Sequence, residues 1–178
     1  MTSDIINIEK LFFQHHKLLC NVANNIVNSR DTAEDIVQDV FFKLWKNRDK
    51  MDWTVSMKSY LYKATTNGAI NWLEKNNRIV RLDNVAEPIT NTENKINSEE
   101  IKNHIEGALN NLPPKCKAIF VLNRYEGLKY QEIADHLNIS VKTVESQMSI
   151  AFKKLREDLK PILIKILTSA FLIITFYT

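Results

Sequence analysis

Apolar residues recur at three- and four-residue steps through most of this chain, the spacing that lines one face of an α-helix. Between residues 4 and 28, Ile5, Ile8, Leu11, Phe12, Leu18, Leu19, Val22, Ile26 and Val27 keep roughly to that step and predict a first helix. Asp31 is placed to cap a second, with Glu34 reaching back to the cap amide. The apolar stripe of that helix is Ile36, Val37, Val40, Phe41, Leu44 and Trp45. Residues 46–54 are polar and turn-like, although they carry Met51 and Trp53. A third helix over residues 56–76 presents Leu61, Ala64, Ile70 and Leu73. Three helices can close a small core, so residues 1–82 read as one domain. Residues 83–98 lose the periodicity and hold a proline among several Asn and Thr, which predicts a flexible polar linker. Helices follow at 99–111, 113–125, 130–137 and 141–160, with prolines well placed to start the second and Glu126-Gly127 as a turn. The fold class is therefore all-α: two small helical domains (1–82 and 99–160), a linker, and a tail over 161–178.

The segment YQEIADHLNISVKTVESQMSIAFKKLRE is the most informative. Tyr130, Ile133, Ala134 and Leu137 make the inner face of its first helix, and Ala134 is small where two helices must cross closely. Asn138 occupies a turn that needs a left-handed residue, the role in which Asn is second to Gly. Ser140 is a good N-cap for the next helix. Val144, Met148, Ala151, Phe152, Leu155 and Leu159 should pack inward. Lys142, Ser146, Ser149, Lys153 and Arg156 form the opposite stripe, where small hydroxyls let a helix approach a groove while cations meet phosphates. Thr143, Glu145 and Gln147 flank it near the helix start, where base edges are usually read. A polar stripe alone fits an ordinary solvated helix face. Two capped helices, an Asn turn and a small crossing residue together point to a DNA-reading helix-turn-helix.

Composition adds limits. Three glycines and four prolines in 178 residues are few for a multi-stranded protein. The net charge of +3 says little, but residues 41–82 hold nine Lys/Arg against three Asp/Glu, whereas 83–101 hold five acids against Lys95 alone. One surface is thus suited to an anionic partner. Cys20 and Cys116 fall in apolar helical patterns and read as buried free thiols of a reducing cytosol. His16 lies one turn from Cys20, but two ligands do not make a zinc site. The first residues lack the basic and then apolar run of an export signal, and the expected location is the cytoplasm. No catalytic pair, metal cluster or phosphate loop stands at a workable spacing, so neither an enzyme nor a cofactor is expected.

Two segments, DTAEDIVQDVFFKLWKNRDK with SMKSYLYKATTNGAINWLEKNNR, and LPPKCKAIFVLNRYEGLKYQEIADHLNISVKTVESQMSIAFKKLRE, together resemble the sigma-70 family of bacterial RNA polymerase initiation factors, in particular its extracytoplasmic-function (ECF) group. They cover about half the chain in the family's order and spacing, with a linker where the family has one. The resemblance implies that Asp35, Gln38, Asp39, Phe41 and Trp45 dock on core RNA polymerase. The acids of that helix suit a basic protein and would repel DNA; helix capping and the helix dipole also account for Asp31 and Glu34, less well for Asp39. It implies that Lys63, Asn67, Asn71 and Lys75, extended by Arg78 and Arg81, read the promoter −10 element, where a base is flipped from the melted strand. Trp53, Tyr60, Tyr62 and Trp72 offer stacking surfaces there or are core. The stripe of residues 140–156 would then read the −35 element. An anti-sigma protein, often membrane-bound in the family, is the expected regulator.

The chain departs from the family pattern in three places. Lys129 stands where a Ser or Thr N-cap is usual, a loss of about 1 kcal/mol. Asn138 replaces a turn glycine. Residues 162–178 are apolar at 12 of 17 positions with only Lys165 charged, and span about 25 Å as a helix, short of a ~30 Å hydrocarbon core. Packing of this tail on the second domain or on a regulator is preferred to membrane contact. A free-standing helix-turn-helix regulator acting on operators is the main rival, and it has no use for the acidic 31–45 helix. A membrane-tethered adaptor is the other.

Overall fold

The computed structural model describes residues 2–53, 56–82 and 98–176, without the side chains of 2–7, 77–82, 98 and 168–176. Among the described residues there are seven α-helices, one short 3₁₀ turn and no strand: α1 (Thr2–Val27), α2 (Arg30–Lys46), the turn Arg48–Lys50, α3 (Met57–Leu82), α4 (Ser98–Asn110), α5 (Pro114–Arg124), α6 (Tyr130–Leu137) and α7 (Val141–Phe176). The expected linker over 83–98 falls almost wholly outside them.

α2 begins earlier than its acids suggest. Its N-cap is Ser29, whose Oγ accepts from the Thr32 amide at 3.4 Å, and Asp31 is already in the first helical turn. Asn28, at φ 57°, turns the chain sharply from α1 into this cap. α1, α2 and α3 then pack on one another through Leu19, Val22, Ile26, Val37, Leu44 and Leu61. Gly68 sets the closeness of the α2–α3 crossing, since a Cβ there would lie 2.9 Å from Cγ2 of Ile36. Thr65 of α3 is fully buried and its hydroxyl has no hydrogen-bond partner among the described residues. Thr65→Val keeps the shape and removes that cost, so thermal or urea unfolding should show a gain of about 1 kcal/mol.

The helices before and after residues 83–97 pack against each other. α5 touches α1 and α3, and α6 touches α3. Six of the eleven residues of α5 are buried, more than a one-sided surface helix hides, because it lies between both helical sets. Ala118, Ile119, Val121 and Leu122 join the α1–α3 core, whereas Cys116 joins a smaller cluster with Ala108, Leu112, Ala151 and Leu155. Lys117 is buried as well. Its Nζ donates to Asn110 Oδ1 at 2.9 Å, and burial lowers its pKa.

Helical periodicity places the end of α7 near residue 160, yet the helix runs through Pro161 to Phe176. Proline removes one backbone hydrogen bond there. Tertiary contacts carry the helix past it: Ile162 is buried, and Lys165 Nζ lies 2.8 Å from Glu100 Oε1 at the start of α4. That bond is the main reason the Glu100 pKa is lowered. The first turns of the tail thus pack on the second helical set, while Leu163, Ile164 and Leu167 stay exposed. Among the described residues no helix is long and apolar enough to cross a membrane.

Candidate nucleic-acid interface

Local bonds fix the helix-turn-helix geometry. Lys129 offers no side-chain acceptor, but its amide donates to Glu132 Oε2 at 2.7 Å, so half of a capping box survives and part of the expected loss is offset. α6 ends at Asn138 with φ 56° and ψ 48°, the left-handed conformation expected of the turn. Ser140 caps α7: its Oγ accepts from the Thr143 amide at 3.0 Å and lies 2.8 Å from Thr143 Oγ1. Because a Cβ-bearing side chain without a local polar group is strained at this φ, Asn138→Ala should cost about 1–2 kcal/mol. Asn138→Gly should match or exceed the native chain in the same thermal melts.

Ile133, Ala134, Val144, Met148, Ala151 and Leu155 are buried between the two helices and their supports. Ser140, Lys142, Thr143, Glu145, Ser146, Ser149, Lys153 and Arg156 are all exposed. Lys142, Lys153 and Arg156 make no ion pair among the described residues, so their charge is available to a partner. Two expectations change. Gln147 is half-buried, and its Oε1 accepts from the Cys116 thiol at 2.8 Å, so its carbonyl end is engaged within the helical set. Burial raises the Cys116 pKa, although Lys154 pulls against it. Phe152, expected in the core, is 39% exposed, because it sits at the edge of the inner face. Its ring meets Phe120 edge-on at 5.9 Å and carries the Arg124 guanidinium at 5.3 Å. Arg124 is therefore a further cation beside the stripe, one that sequence spacing on another helix gives no means of placing.

A second set lies on the first helices. A cleft of about 450 Å³ between α2 and α3 gathers Asn67, Asn71 and Lys75 with Tyr60, Trp72 and Asp39. Three of the six expected α3 residues thus share one concavity, and Lys63 lies outside it, partly buried. The side chains of Arg78 and Arg81 lie outside the described residues. Tyr62 is buried, while Trp53, Tyr60 and Trp72 pack partly against the core.

On α2, Asp35, Gln38 and Asp39 are exposed, and neither acid is in an ion pair among the described residues. Phe41 is a correction: it is 6% exposed, with its ring 5.0 Å from that of Phe12, and is a core residue that offers no docking surface. Its neighbour Phe42 is 60% exposed and lies three and four residues from Asp39 and Gln38, so it carries the apolar surface near the acids. The one-residue step from Phe41 turns Phe42 by about 100° to the polar side, a signal present in the sequence but masked by the aromatic pair. Trp45, expected both in the apolar stripe and at the docking surface, is 48% exposed, with the Arg48 guanidinium 4.7 Å from its ring centre. Cys20 is a partly buried free thiol whose pKa is raised by burial and then by Glu34.

Comparison with known proteins matches both halves of the chain. The family model for sigma-70 region 2 matches residues 11–79, and that for sigma-70 region 4 matches residues 103–155. The chain belongs to the sigma-70 family. Curated relatives are ECF members of it. The chain is 28% identical over 174 residues to ECF RNA polymerase sigma factor SigW of Bacillus subtilis, covering 89% of this chain and 88% of that one. It is 26% identical over 157 residues to ECF RNA polymerase sigma factor SigE of Mycolicibacterium smegmatis, covering 85% of this chain but only 61% of that protein. Among solved structures it is similar to the sigma factor RpoE of Bartonella quintana, in complex there with the anti-sigma factor NepR (TM-score 0.59, 23% identity, 86% of this chain and 97% of that one). It is equally similar to CnrH in complex with the cytosolic domain of CnrY (TM-score 0.59, 23% identity, 86% and 88%). These structural likenesses show a shared fold, while the region 2 match falls within α1–α3 and the region 4 match within α4–α7.

Proposed function

We propose that this protein is an alternative sigma factor of the ECF group, which binds core RNA polymerase and directs promoter-specific transcription initiation. The observation that carries the reading is the coexistence in one chain of regions 2 and 4 with an exposed acidic α2 face and an exposed cationic stripe on α7. In this reading Asp35, Gln38, Asp39 and Trp45, with Phe42 in place of Phe41, meet a basic and apolar polymerase surface. Lys142, Lys153 and Arg156 hold phosphates of the −35 duplex, while Ser146 and Ser149 permit close approach and Glu145 lies where base edges are read. Asn67, Asn71 and Lys75 face the −10 element from the α2–α3 cleft.

The protein is an initiation factor and not an enzyme, the nucleotidyl transfer being the polymerase's. It works where polymerase and promoter are, in the bacterial cytoplasm. An anti-sigma protein is the proposed regulator, since RpoE is solved with the anti-sigma factor NepR and CnrH with the cytosolic domain of CnrY. Run-off transcription with purified core polymerase on genomic templates tests the reading. A promoter-specific transcript that depends on the added protein is expected. Promoter-independent binding to operator-like duplexes, with no such transcript, would favour a free-standing regulator instead.

A further inference from the structure

The cationic stripe of α7 does not stop at Arg156. Steps of 4, 3, 4 and 3 residues join Lys142, Ser146, Ser149, Lys153 and Arg156, and further steps of 4, 3 and 4 lead to Lys160, Leu163 and Leu167 on the same side of the helix. All eight are exposed. The face therefore turns from cationic to apolar within about two helical turns. Lys160, like Lys153 and Arg156, makes no ion pair among the described residues. Leu163, Leu167 and the neighbouring Ile164 are each more than half exposed, while buried Ile162 and the Lys165–Glu100 bond anchor the opposite side. Beyond Lys165 the helix continues over residues 166–176 without one ionisable residue.

We propose that residues 160–176 of α7 dock on an anionic phospholipid surface, with the apolar end entering one leaflet, and that membrane and −35 DNA exclude each other because both take Lys153 and Arg156. Charge and apolarity select this occupant. A second copy of the chain fits poorly: in parallel it sets Lys153, Arg156 and Lys160 against their own kind, and antiparallel it sets them against leucines. A partner helix covers one side only, whereas residues 166–176 have no charged side to leave in water. Anionic lipid satisfies both ends, since headgroup phosphates meet the cations and hydrocarbon receives an apolar helix from every side. Residues 166–176 rise about 16 Å as a helix, roughly one leaflet of a ~30 Å hydrocarbon core, so the segment enters without crossing. Arg156 and Leu163 lie about 10 Å apart along the axis, less than the ~12 Å width of a major groove. A duplex and a bilayer therefore cannot share the face. The membrane contact goes beyond the sigma reading, and only the exclusion of DNA rests on it.

Vesicle flotation of the full chain tests this. Vesicles of phosphatidylglycerol with phosphatidylcholine should carry the protein, and phosphatidylcholine alone should bind it at least about tenfold more weakly. Leu163→Ser with Leu167→Ser, checked for native helicity, should lose at least about tenfold in affinity for the anionic vesicles and keep its affinity for −35 duplex. In fluorescence anisotropy, anionic vesicles should displace labelled −35 duplex from the native chain and far less from the double variant. Absence of flotation with anionic vesicles overturns the proposal, and does so equally if the chain instead sediments as a dimer that the leucine changes dissolve. Equal flotation of the double variant means that charge alone holds the protein and overturns leaflet entry. Flotation with no displacement of duplex overturns the exclusion. If the native chain binds no duplex even without vesicles, the −35 assignment is what fails, and flotation alone decides the membrane contact.

Discussion

Reversing Asp35 and Asp39 together to lysine is expected to weaken association with core RNA polymerase at least about thirtyfold, with promoter-directed transcription falling in parallel. The two carboxylates stand one turn apart on the exposed side of α2 and make no ion pair among the described residues, so their field is directed outward. Removing one partner of a desolvated interfacial charge pair costs roughly 2–5 kcal/mol, and reversal adds repulsion. Even the lower figure corresponds to about a thirtyfold change. Both positions lie beyond the first turn of α2, where the helix dipole acts most strongly, so the double variant should keep its helicity and melting temperature. Native gel shift or surface binding with core polymerase reads the first quantity and circular dichroism the second. Unchanged association with an intact fold would remove α2 from the docking surface. A matching Phe41→Ala change should instead act through stability, losing about 3–5 kcal/mol as a buried aromatic does, because its ring faces Phe12.

Replacing Lys142, Lys153 and Arg156 with alanine is expected to lower affinity for −35 duplex at least about a hundredfold at low salt. The diagnostic quantity is the salt dependence. Each phosphate left without its cation takes about 0.9 from the slope of log affinity against log salt, so three should remove about 2.7. Fluorescence anisotropy across a salt series measures it. A fall in affinity with no change of slope would mean that these cations do not sit on phosphates. Ser146 and Ser149 should behave differently, since bulky replacements there obstruct approach and weaken binding without changing the slope.

Much of the fold was legible because helical periodicity is a local property. The start and end of α6 were readable to the residue, and so was the Asn138 turn, since φ > 0 favours few residue types. The start of α2 was misplaced by two residues because Ser29 and Asp31 are both good caps, and the choice between them depended on the sharp turn at Asn28. The end of α7 was not legible. Proline opposes a helix locally, and what carried α7 on was burial of Ile162 and the Lys165–Glu100 bond, both made with distant residues.

The candidate surfaces divide the same way. Exposure of Lys142, Ser146, Ser149, Lys153 and Arg156 followed from their common face, whereas the bond that engages Gln147 required Cys116 from α5 to supply a donor. Phe41 and Phe42 show how a motif can point to the right helix and the wrong side chain. The sequence by itself determined the helices, the capped turn, the acidic and cationic faces and the family they resemble, all of which arise from residues within a few turns of one another. Tertiary structure alone decided that α5 is shared between two cores, that Glu126 reaches Asn25 and Tyr62, and that Arg124 stands over Phe152. Those pairings join residues far apart in the chain, and no periodicity encodes a meeting that only packing brings about.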